Sequence, residues 1–142
     1  MKELSFAISL PTLNERLGSE KVLSEIATLL EDFQYSVCIV DDGSTDGTVE
    51  FIESLIANDI RITLIKNIKR RYGCQRGAAS RIALEWLVKN TEHQVFVELD
   101  ADYSQQPEEI LSGGKILIES QYDILIASKY VTGAKVVGRS KV

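Results

Sequence analysis

The amino-acid sequence predicts an α/β fold of three layers, in which helices cover both faces of a mostly parallel sheet. Short apolar runs alternate with amphipathic segments of about 10 to 15 residues along the chain. This alternation is typical of parallel strands that are joined by helical crossovers. With 142 residues, 44% of them hydrophobic, the chain has the size and composition of one globular domain. We therefore expect a single domain over residues 1–142.

Five apolar runs are the candidate strands. The first is predicted to end at Pro11, because proline cannot donate a hydrogen bond to a neighbouring strand. The strands are predicted at 4–10, 35–40, 60–65, 95–99 and 123–127. The fourth combines Val and Phe and is expected to be short and buried.

Apolar residues at helical spacing predict a helix between successive strands. Ser19 is the expected N-cap of the first helix, and Pro107 is the expected first residue of the fourth. Gly113 and Gly114 are expected to weaken the fourth helix. The helices are predicted at 19–31, 49–57, 75–89 and from 107 onward.

Charge is distributed unevenly along the chain. The net charge is −5, yet the stretch 61–84 contains no acidic residue. This basic block is either a solvated helix face and loop, as most charge runs are, or an edge that binds phosphate or anionic lipid. Charge patterning alone does not choose between the two. The basic residues of the block are Arg61, Lys66, Lys69, Arg70, Arg71, Arg76 and Arg81.

The cysteine usage and the hydropathy of the chain favour a cytoplasmic protein. Cys38 and Cys74 lack the spacing of a metal or redox motif, so we expect reduced thiols. No apolar segment approaches the roughly 20 residues that span a bilayer, and the N-terminus lacks the layout of a signal peptide.

Three of the predicted strands end in polar residues, and in a parallel sheet these ends meet at one edge. The strand ends are residues 11–15, 41–44 and 100–102. Asp100 and Asp102 flank the small Ala101 and can direct two carboxylates toward one hard cation. Mg²⁺ or Mn²⁺ fits, because such ions take few protein carboxylates and complete their shell with water and substrate phosphate. Taken alone, such a pair can equally be a solvated acidic turn.

A second acidic turn follows the second strand. Gly43 permits a tight turn, and Ser44 or Thr45 can cap the next helix. Capping does not explain why Asp41 and Asp42 are adjacent at the end of an apolar strand. Because an unpaired buried carboxylate is costly, we expect one of the two to bind a polar ligand group.

Four motifs, in this order, resemble the family 2 glycosyltransferases of GT-A fold, a Rossmann-like architecture, and in particular the dolichyl- or polyprenyl-phosphate mannosyltransferases. They are residues 11–15 (Pro-Thr-Leu-Asn-Glu), 40–48 (Val-Asp-Asp-Gly-Ser-Thr-Asp-Gly-Thr), 99–102 (Leu-Asp-Ala-Asp) and 127–130 (Ala-Ser-Lys-Tyr). Together the motifs cover nearly the whole chain, which gives them a specificity that none has singly.

The resemblance implies an inverting transfer of a sugar from a GDP- or UDP-linked donor to a polyprenyl phosphate or, alternatively, to a saccharide. The implied metal ligands and catalytic residues are Asp100 and Asp102, with Mg²⁺ or Mn²⁺ as the cofactor. The implied donor-binding residues are Pro11, Leu13, Glu15, Val40, Asp42, Ala101 and Lys129.

The chain departs from the family pattern at several positions. Leu13 replaces a common aromatic residue, and Lys129 stands where arginine is usual, which keeps the charge but loses the two-pronged grip. A further basic residue of the family corresponds loosely to Arg139. The resemblance implies that residues 1–142 are the donor-binding part of a longer transferase, which associates with a membrane surface where its acceptor is a lipid phosphate. Nucleic acid is not an expected partner.

Two other classes share part of this pattern. Phospho-acceptor receiver modules combine an acidic pair, a further Asp and a Lys at strand ends, but here the first acidic pair follows the second strand. Metal-dependent nucleotidyltransferases share the Asp-x-Asp pattern, but residues 11–15 lack their Gly-rich, basic signature. Trp86 is expected in the core, and His93 and Glu98 are expected to be structural.

Overall fold

The computed structural model describes residues 4–68 and 75–134. Strands and helices alternate along them, and all four strands of the described part are parallel. The predicted α/β fold class is therefore confirmed. The strands are β1 (Ser5–Thr12), β2 (Gln34–Asp41), β3 (Ile62–Lys66) and β4 (Val95–Glu98), and the helices are α1 (Arg16–Leu29), α2 (Thr48–Ile56), α3 (Arg76–Asn90) and α4 (Glu109–Glu119).

The strand order is β3-β2-β1-β4. The sheet grows from β1 through β2 to β3, and the chain then crosses back to place β4 on the other side of β1. In open parallel sheets, ligands bind beyond the carboxyl ends of the strands at such a reversal. Here the reversal lies between the ends of β1 and β4, where two of the predicted motifs begin.

Apolar side chains alternate between the two faces of the sheet and form two clusters. On one face Phe6, Ile8 and Leu10 of β1 pack with α1, α2 and α4. On the other face Ala7, Cys38 and Val40 pack against α3, and Trp86 is partly buried there as predicted. Helices therefore cover both faces, as the three-layer prediction requires.

Burial of Cys38 explains why this thiol is inert. It is a free cysteine of β2, and desolvation raises the pKa of its thiol to about 12. Since the thiolate is the reactive form, Cys38 is unreactive near neutral pH. Cys74 lies outside the described residues.

Strand β1 does not end at Pro11, as the sequence predicted, but continues to Thr12. The backbone oxygen of Ser9 accepts the N–H of Leu99 at 3.1 Å. The backbone N–H and C=O groups of the odd-numbered residues of β1 therefore point toward β4. The nitrogen of Pro11 points the same way, beyond Glu98, where β4 has ended. No donor is needed there, and a proline is tolerated at the end of a central strand.

The N-terminus of α1 is held by side chains from the loop after β2. The helix begins at Arg16, three residues before the predicted N-cap Ser19, which is buried within it. The two loops exchange hydrogen bonds in both directions, and we call this set of contacts the loop lock. The backbone N–H groups of Asn14, Glu15 and Arg16 donate to Ser44 Oγ (2.8 Å), Thr48 Oγ1 (3.1 Å) and Asp46 Oδ2 (3.1 Å), and the N–H of Thr45 donates to Asn14 Oδ1 (2.8 Å).

Asp46 caps two helices at once. Its Oδ2 accepts the first N–H of α1, and its Oδ1 accepts the N–H of Thr48, the first residue of α2, at 3.1 Å. The hydrogen bond from the Thr48 hydroxyl is the largest of the causes that lower the pKa of Asp46. The polar residues after β2 therefore serve the neighbouring loop as well as their own helix.

The predicted fifth strand at 123–127 is wrong, because this segment has no strand structure. Ile124 and Ile126 are 76% and 81% exposed. A strand exists only where its backbone pairs with a neighbour, and β4, the edge strand, pairs in the described residues with β1. The apolar pattern indicated a strand but specified no partner. β4 itself is half-buried, since Phe96 and Glu98 are exposed.

Helix α4 begins two residues after Pro107 and packs closely on the sheet. A Cβ at position 114 would lie 2.7 Å from the ring of Phe6. Gly114, which the sequence marked as a weakness of the helix, is therefore what permits this approach. Within residues 4–68 and 75–134, no helix is long and apolar enough to cross a membrane.

Removing the Thr48 hydroxyl should weaken the loop lock. Thr48 is fully buried, and its hydroxyl joins Asp46 to the N–H of Glu15. We expect Thr48→Val to lower the free energy of unfolding by about 1–3 kcal/mol, because it leaves polar groups unpaired. Urea denaturation at pH 7 measures the loss. The control Thr28→Val, at an exposed position of α1, should stay within about 0.5 kcal/mol of the wild type. Equal losses in the two variants would contradict the lock.

Candidate functional site

A cleft of about 300 Å³ lies beyond the carboxyl ends of β1 and β4. Its walls come from the loop after β1, the end of β2, the start of α3 and the loop after β4. It is lined by Pro11, Thr12, Leu13, Glu15, Asp42, Gln75, Arg76, Ala79, Asp100, Ala101 and Asp102. The structure thus brings together residues from three of the four motifs.

Two predicted donor-binding residues do not line this cleft. Val40 is fully buried and belongs to the apolar cluster under α3, where it pairs with Pro11 in register. Its side chain supports the floor of the cleft and cannot touch a ligand there. Lys129 lies in the exposed segment after α4, with its Nζ 5.2 Å from the centre of the Tyr130 ring. Arg139 lies outside the described residues.

The loop after β4 that contains Asp100 and Asp102, which we call the acidic loop, lies against α1 at Gly18. A Cβ at position 18 would lie 2.2 Å from the carbonyl oxygen of Ala101 and 3.1 Å from the Cα of Asp102. Any side chain on Gly18 would displace the loop. Ala101 is itself buried, so small residues on both sides permit this contact.

A tyrosine fastens the same loop from its far end. The hydroxyl of Tyr103 lies 2.7 and 2.8 Å from the two carboxylate oxygens of Glu25 on α1, to which it donates. The Nζ of Lys21 lies 3.5 Å from the centre of the Tyr103 ring. The hydrogen bond to Glu25 is the largest cause that raises the pKa of Tyr103 to about 12, so the hydroxyl keeps its proton. Asp102 is therefore held between two contacts with α1.

Hydrogen bonds fix the positions of both carboxylates of the acidic loop. The side chain of Gln105 makes two hydrogen bonds to Asp100. Its Oε1 accepts the Asp100 N–H at 2.6 Å, and its Nε2 donates to Asp100 Oδ2 at 3.1 Å. The Oδ1 of Asp102 accepts the N–H of Ser104 at 2.8 Å. The loop is thus ordered before any ligand arrives.

Glu15, on the opposite wall, experiences the field of these carboxylates. Desolvation raises its pKa above the ordinary value of 4.5, and the charges of Asp102, Asp46 and Asp100 raise it further. Burial and repulsion from three acidic neighbours thus both disfavour the ionised form of Glu15. A bound cation would relieve that repulsion.

The structure separates the roles of the two adjacent aspartates after β2. Asp41 is buried, and its carboxylate accepts the N–H groups of Gly43 and Ser44 at 2.9 and 3.0 Å, together with the Ser44 hydroxyl. Asp42 faces the cleft, and its Oδ1 accepts a hydrogen bond from Asn67 Nδ2 at 2.6 Å. Asp41 builds the turn, whereas Asp42 is available to a ligand.

Sequence reasoning missed several residues of the site. Thr12 is 4% exposed, and its hydroxyl has no hydrogen-bond partner among the described residues, although it lines the cleft. Asn67 follows β3 and donates a hydrogen bond to Asp42, so the end of β3 contributes as well as those of β1, β2 and β4. Ligands of open parallel sheets bind beyond the carboxyl ends of the strands. This rule could have found both residues, because each stands at such an end.

The basic residues of the block lie in different surroundings. Arg61, Lys66 and Arg81 form ion pairs outside the cleft with Asp59, Glu53 and Glu85. Arg76 instead lines the cleft and contacts Asp100 at 2.8 Å. Glu98 is paired as predicted, with Arg76 at 3.3 Å and Ser80 at 3.1 Å, and His93 bonds Ser36. Lys69, Arg70 and Arg71 lie outside the described residues.

The carboxylates present fit a divalent cation of the magnesium type. The described residues contain no group of three or more His, Cys, Asp or Glu side chains that could enclose a metal. Mg²⁺ and Mn²⁺ need no such enclosure, because they commonly take one or two carboxylates together with substrate phosphate and water. Asp100 and Asp102, facing an open cleft in a field of negative charge, suit that mode of binding.

A larger groove of about 510 Å³ runs along the outer face of α3, past Leu84 and Val88. Among the described residues its lining comes from α3 alone, and the charged residues there include the ion-paired Arg81 and Glu85. Polar side chains from separate strands meet in the smaller cleft instead. We therefore place the functional site there, despite its smaller volume.

A side chain at position 18 should disturb the acidic loop. Alanine is the better helix former by about 1 kcal/mol, but its Cβ would clash with the Ala101 oxygen. We expect Gly18→Ala to lower the free energy of unfolding by about 1–3 kcal/mol and to shift the amide resonances of residues 99–105. The control Gly77→Ala, where a Cβ meets nothing within 4 Å, should be neutral or stabilising. Identical behaviour of the two variants would refute the close contact.

Neutralising Glu15 should stabilise the fold at neutral pH. A carboxyl whose pKa is raised by folding is not penalised below its ordinary pKa of 4.5, and the penalty grows as pH rises through the raised value. We expect Glu15→Gln to raise the free energy of unfolding at pH 7 by no more than about 1 kcal/mol, because solvent screens the group. The gain should vanish at pH 4.

Urea denaturation at the two pH values measures this effect. The control Glu31→Gln, at an exposed position beyond α1, should change stability little at either pH. A wild type more stable than the Glu15 variant at pH 7 would show that the repulsion is absent.

Comparison with known proteins identifies the family of the chain. The family "Glycosyl transferase family 2" matches residues 7–142. A dolichol-phosphate mannosyltransferase from Pyrococcus furiosus is 32% identical over 133 residues, which are 94% of this chain and 35% of that protein. The chain therefore spans about a third of the length of this relative.

Solved structures share the fold. Staphylococcus aureus TarS (1–349) in complex with UDP superimposes with a TM-score of 0.64 at 24% identity, over 94% of this chain and 38% of that one. The mannosyltransferase PcManGT from Pyrobaculum calidifontis, in complex with GDP-Man and Mn²⁺, gives a TM-score of 0.57 at 22% identity, over 82% and 33% of the two chains. The motifs, the parallel sheet with its strand reversal, and these matches lead to one conclusion: the chain belongs to glycosyl transferase family 2 and has the GT-A fold.

Proposed function

We propose that this chain binds the nucleotide-diphosphate sugar of an inverting glycosyltransferase, with Mg²⁺ or Mn²⁺, in the cleft between β1 and β4. The observation that carries the proposal is the meeting of the acidic loop with residues 11–15 and Asp42 at the strand reversal. UDP and GDP-Man are bound by two proteins of the same fold. Neither identifies the nucleotide of this chain, so both are candidates.

Each wall of the cleft has a distinct role in this proposal. Pro11 and Leu13 offer apolar surface to a base, while Asp42 and the Thr12 hydroxyl offer hydrogen bonds to ribose or base. Asp100 and Asp102 would hold the cation, with Ala101 between them leaving room for the diphosphate. The cation, when bound, would offset the charge that develops on the diphosphate leaving group.

We further propose a lipid phosphate as the acceptor. The Pyrococcus furiosus relative is named for dolichol phosphate. An acceptor that is already an anion needs no strong general base, and the described cleft offers carboxylates instead of an imidazole. Such an acceptor would bring the protein to a membrane surface. A saccharide acceptor is the alternative, and its hydroxyl would need a base such as Asp102 or Glu15.

Removing Asp102 should abolish metal-dependent nucleotide binding. We expect wild-type protein to bind UDP or GDP more tightly with Mn²⁺ than with EDTA, and Asp102→Ala to lose that difference, a loss of more than about tenfold. Isothermal titration calorimetry measures each affinity. The control Asp32→Ala removes an exposed carboxylate from the turn after α1, at the opposite edge of the sheet, and should bind as the wild type does.

Two results would decide against this proposal. Equal affinity with EDTA, with Mn²⁺ and in the Asp102 variant would exclude a metal role for this residue. Failure of every nucleotide sugar in a panel with Mg²⁺ and Mn²⁺ to bind the folded wild type would exclude the cleft as a donor site.

A further inference from the structure

An arginine already neutralises one of the two carboxylates to which a cation would bind. The guanidinium of Arg76 lies 2.8 Å from Asp100 Oδ1 and 3.3 Å from Glu98 Oε1. The other oxygen of Asp100 accepts the amide of Gln105 at 3.1 Å. Both oxygens of Asp100 therefore carry donors before any ligand binds.

This ion pair opposes binding of a divalent cation at Asp100. A guanidinium in contact with the carboxylate repels a second cation and blocks one of its approaches. Asp102 is less encumbered, since its Oδ1 accepts one N–H from the neighbouring Ser104. Full engagement of Asp100 by a cation thus requires Arg76 to move.

Arg76 is well placed to move without leaving the cleft. It is the first residue of α3, and its side chain is 58% exposed. Glu98, fixed by the Ser80 hydroxyl at 3.1 Å, offers a second anionic contact beside Asp100. Among the described basic residues, Arg76 is the one that lines the cleft, and a bound diphosphate would bring phosphate oxygens that match a guanidinium in geometry and charge.

We propose that Arg76 acts as an exchangeable counter-ion: it neutralises Asp100 in the free protein and transfers to the donor diphosphate when the cation and the nucleotide bind together. The proposal rests on the proposed donor site. It assigns Arg76 to donor binding. It also makes the binding of cation and nucleotide cooperative, because a cation that binds alone must displace the Arg76 guanidinium from Asp100 while no diphosphate is present to receive it.

The exchange predicts opposite effects of one substitution on two affinities. Arg76→Gln should bind Mn²⁺ alone about threefold more tightly than the wild type, because the competing charge is gone. The same variant should bind UDP or GDP, at saturating Mn²⁺, about tenfold or more weakly, because a charge-assisted hydrogen bond to phosphate is lost. A purely structural arginine would not move the two affinities in opposite directions.

Two further variants serve as controls. Arg76→Lys keeps the charge but loses the planar fork, so its affinity for Mn²⁺ alone should return toward the wild-type value, while nucleotide affinity stays intermediate. Arg81→Gln removes the same charge five residues further along α3, outside the cleft, where the arginine pairs with Glu85. It should leave both affinities unchanged.

Electron paramagnetic resonance of free Mn²⁺ measures the first affinity, and calorimetry with UDP and GDP at saturating Mn²⁺ measures the second. If Arg76→Gln weakens both, strengthens both or changes neither, the exchange is wrong although the donor site stands. If the wild type binds Mn²⁺ but neither nucleotide, the proposed function fails instead. If the folded wild type binds no Mn²⁺ either alone or together with UDP or GDP, neither proposal survives.

Discussion

The loop lock is the interaction on which the rest of the site depends. A helix begins with N–H groups that have no partner within the helix. The first of these in α1, on Arg16, donates to Asp46, and the two residues before the helix donate to Ser44 and Thr48. These bonds fix where α1 begins and how it leaves β1. The position of α1 in turn sets the position of the acidic loop, because Gly18 touches Ala101 and Glu25 holds Tyr103. Three strand ends are thereby coupled into one rigid wall.

The rigidity of this wall explains how like charges can be kept close together. Burial raises the pKa of Glu15, and the nearby charges of Asp102, Asp46 and Asp100 raise it further. Hydrogen bonds from Thr48, Ser104 and Gln105 hold the carboxylates in place against this repulsion. A bound cation would offset the repulsion that Glu15 experiences, and carboxylates with perturbed pKa values are common at functional sites.

The sequence was sufficient to predict the fold class and most of the cleft, because both follow from local rules. Short apolar runs identified the first four strands, and helical spacing identified the helices between them. The expectation that parallel strand ends meet at one edge brought Pro11, Glu15, Asp42 and Asp102 together. Prediction from the sequence failed where the role of a residue depends on a partner that is distant along the chain. Ser19 was predicted as the N-cap from its residue type and its position before an apolar pattern. The side chains that accept hydrogen bonds at the start of α1, Ser44 and Asp46, are distant in the sequence.

The other misses have the same origin. The segment 123–127 is apolar enough for a strand, but pairing is a property of the sheet and not of the segment. Val40, which the resemblance implied for donor binding, is buried in the core beside Pro11, a placement that depends on the register of β1 and β2. The sequence did not distinguish Arg76 from the other basic residues of its block. The fold places Arg76 beside Asp100, whereas Arg61 and Lys66 form surface ion pairs.

The central claim, that the cleft at the strand reversal binds a nucleoside diphosphate with a divalent cation, is tested most directly by nuclear magnetic resonance. ¹⁵N-labelled protein would be titrated with UDP and GDP in the presence of Mg²⁺, followed by traces of Mn²⁺. We predict shifts confined to the amides of residues 12–15, 42–43, 75–79 and 99–105, with Mn²⁺ broadening greatest at Asp102. Shifts confined to the outer groove of α3 around Leu84 and Val88, or no shifts with either nucleotide, would contradict the account.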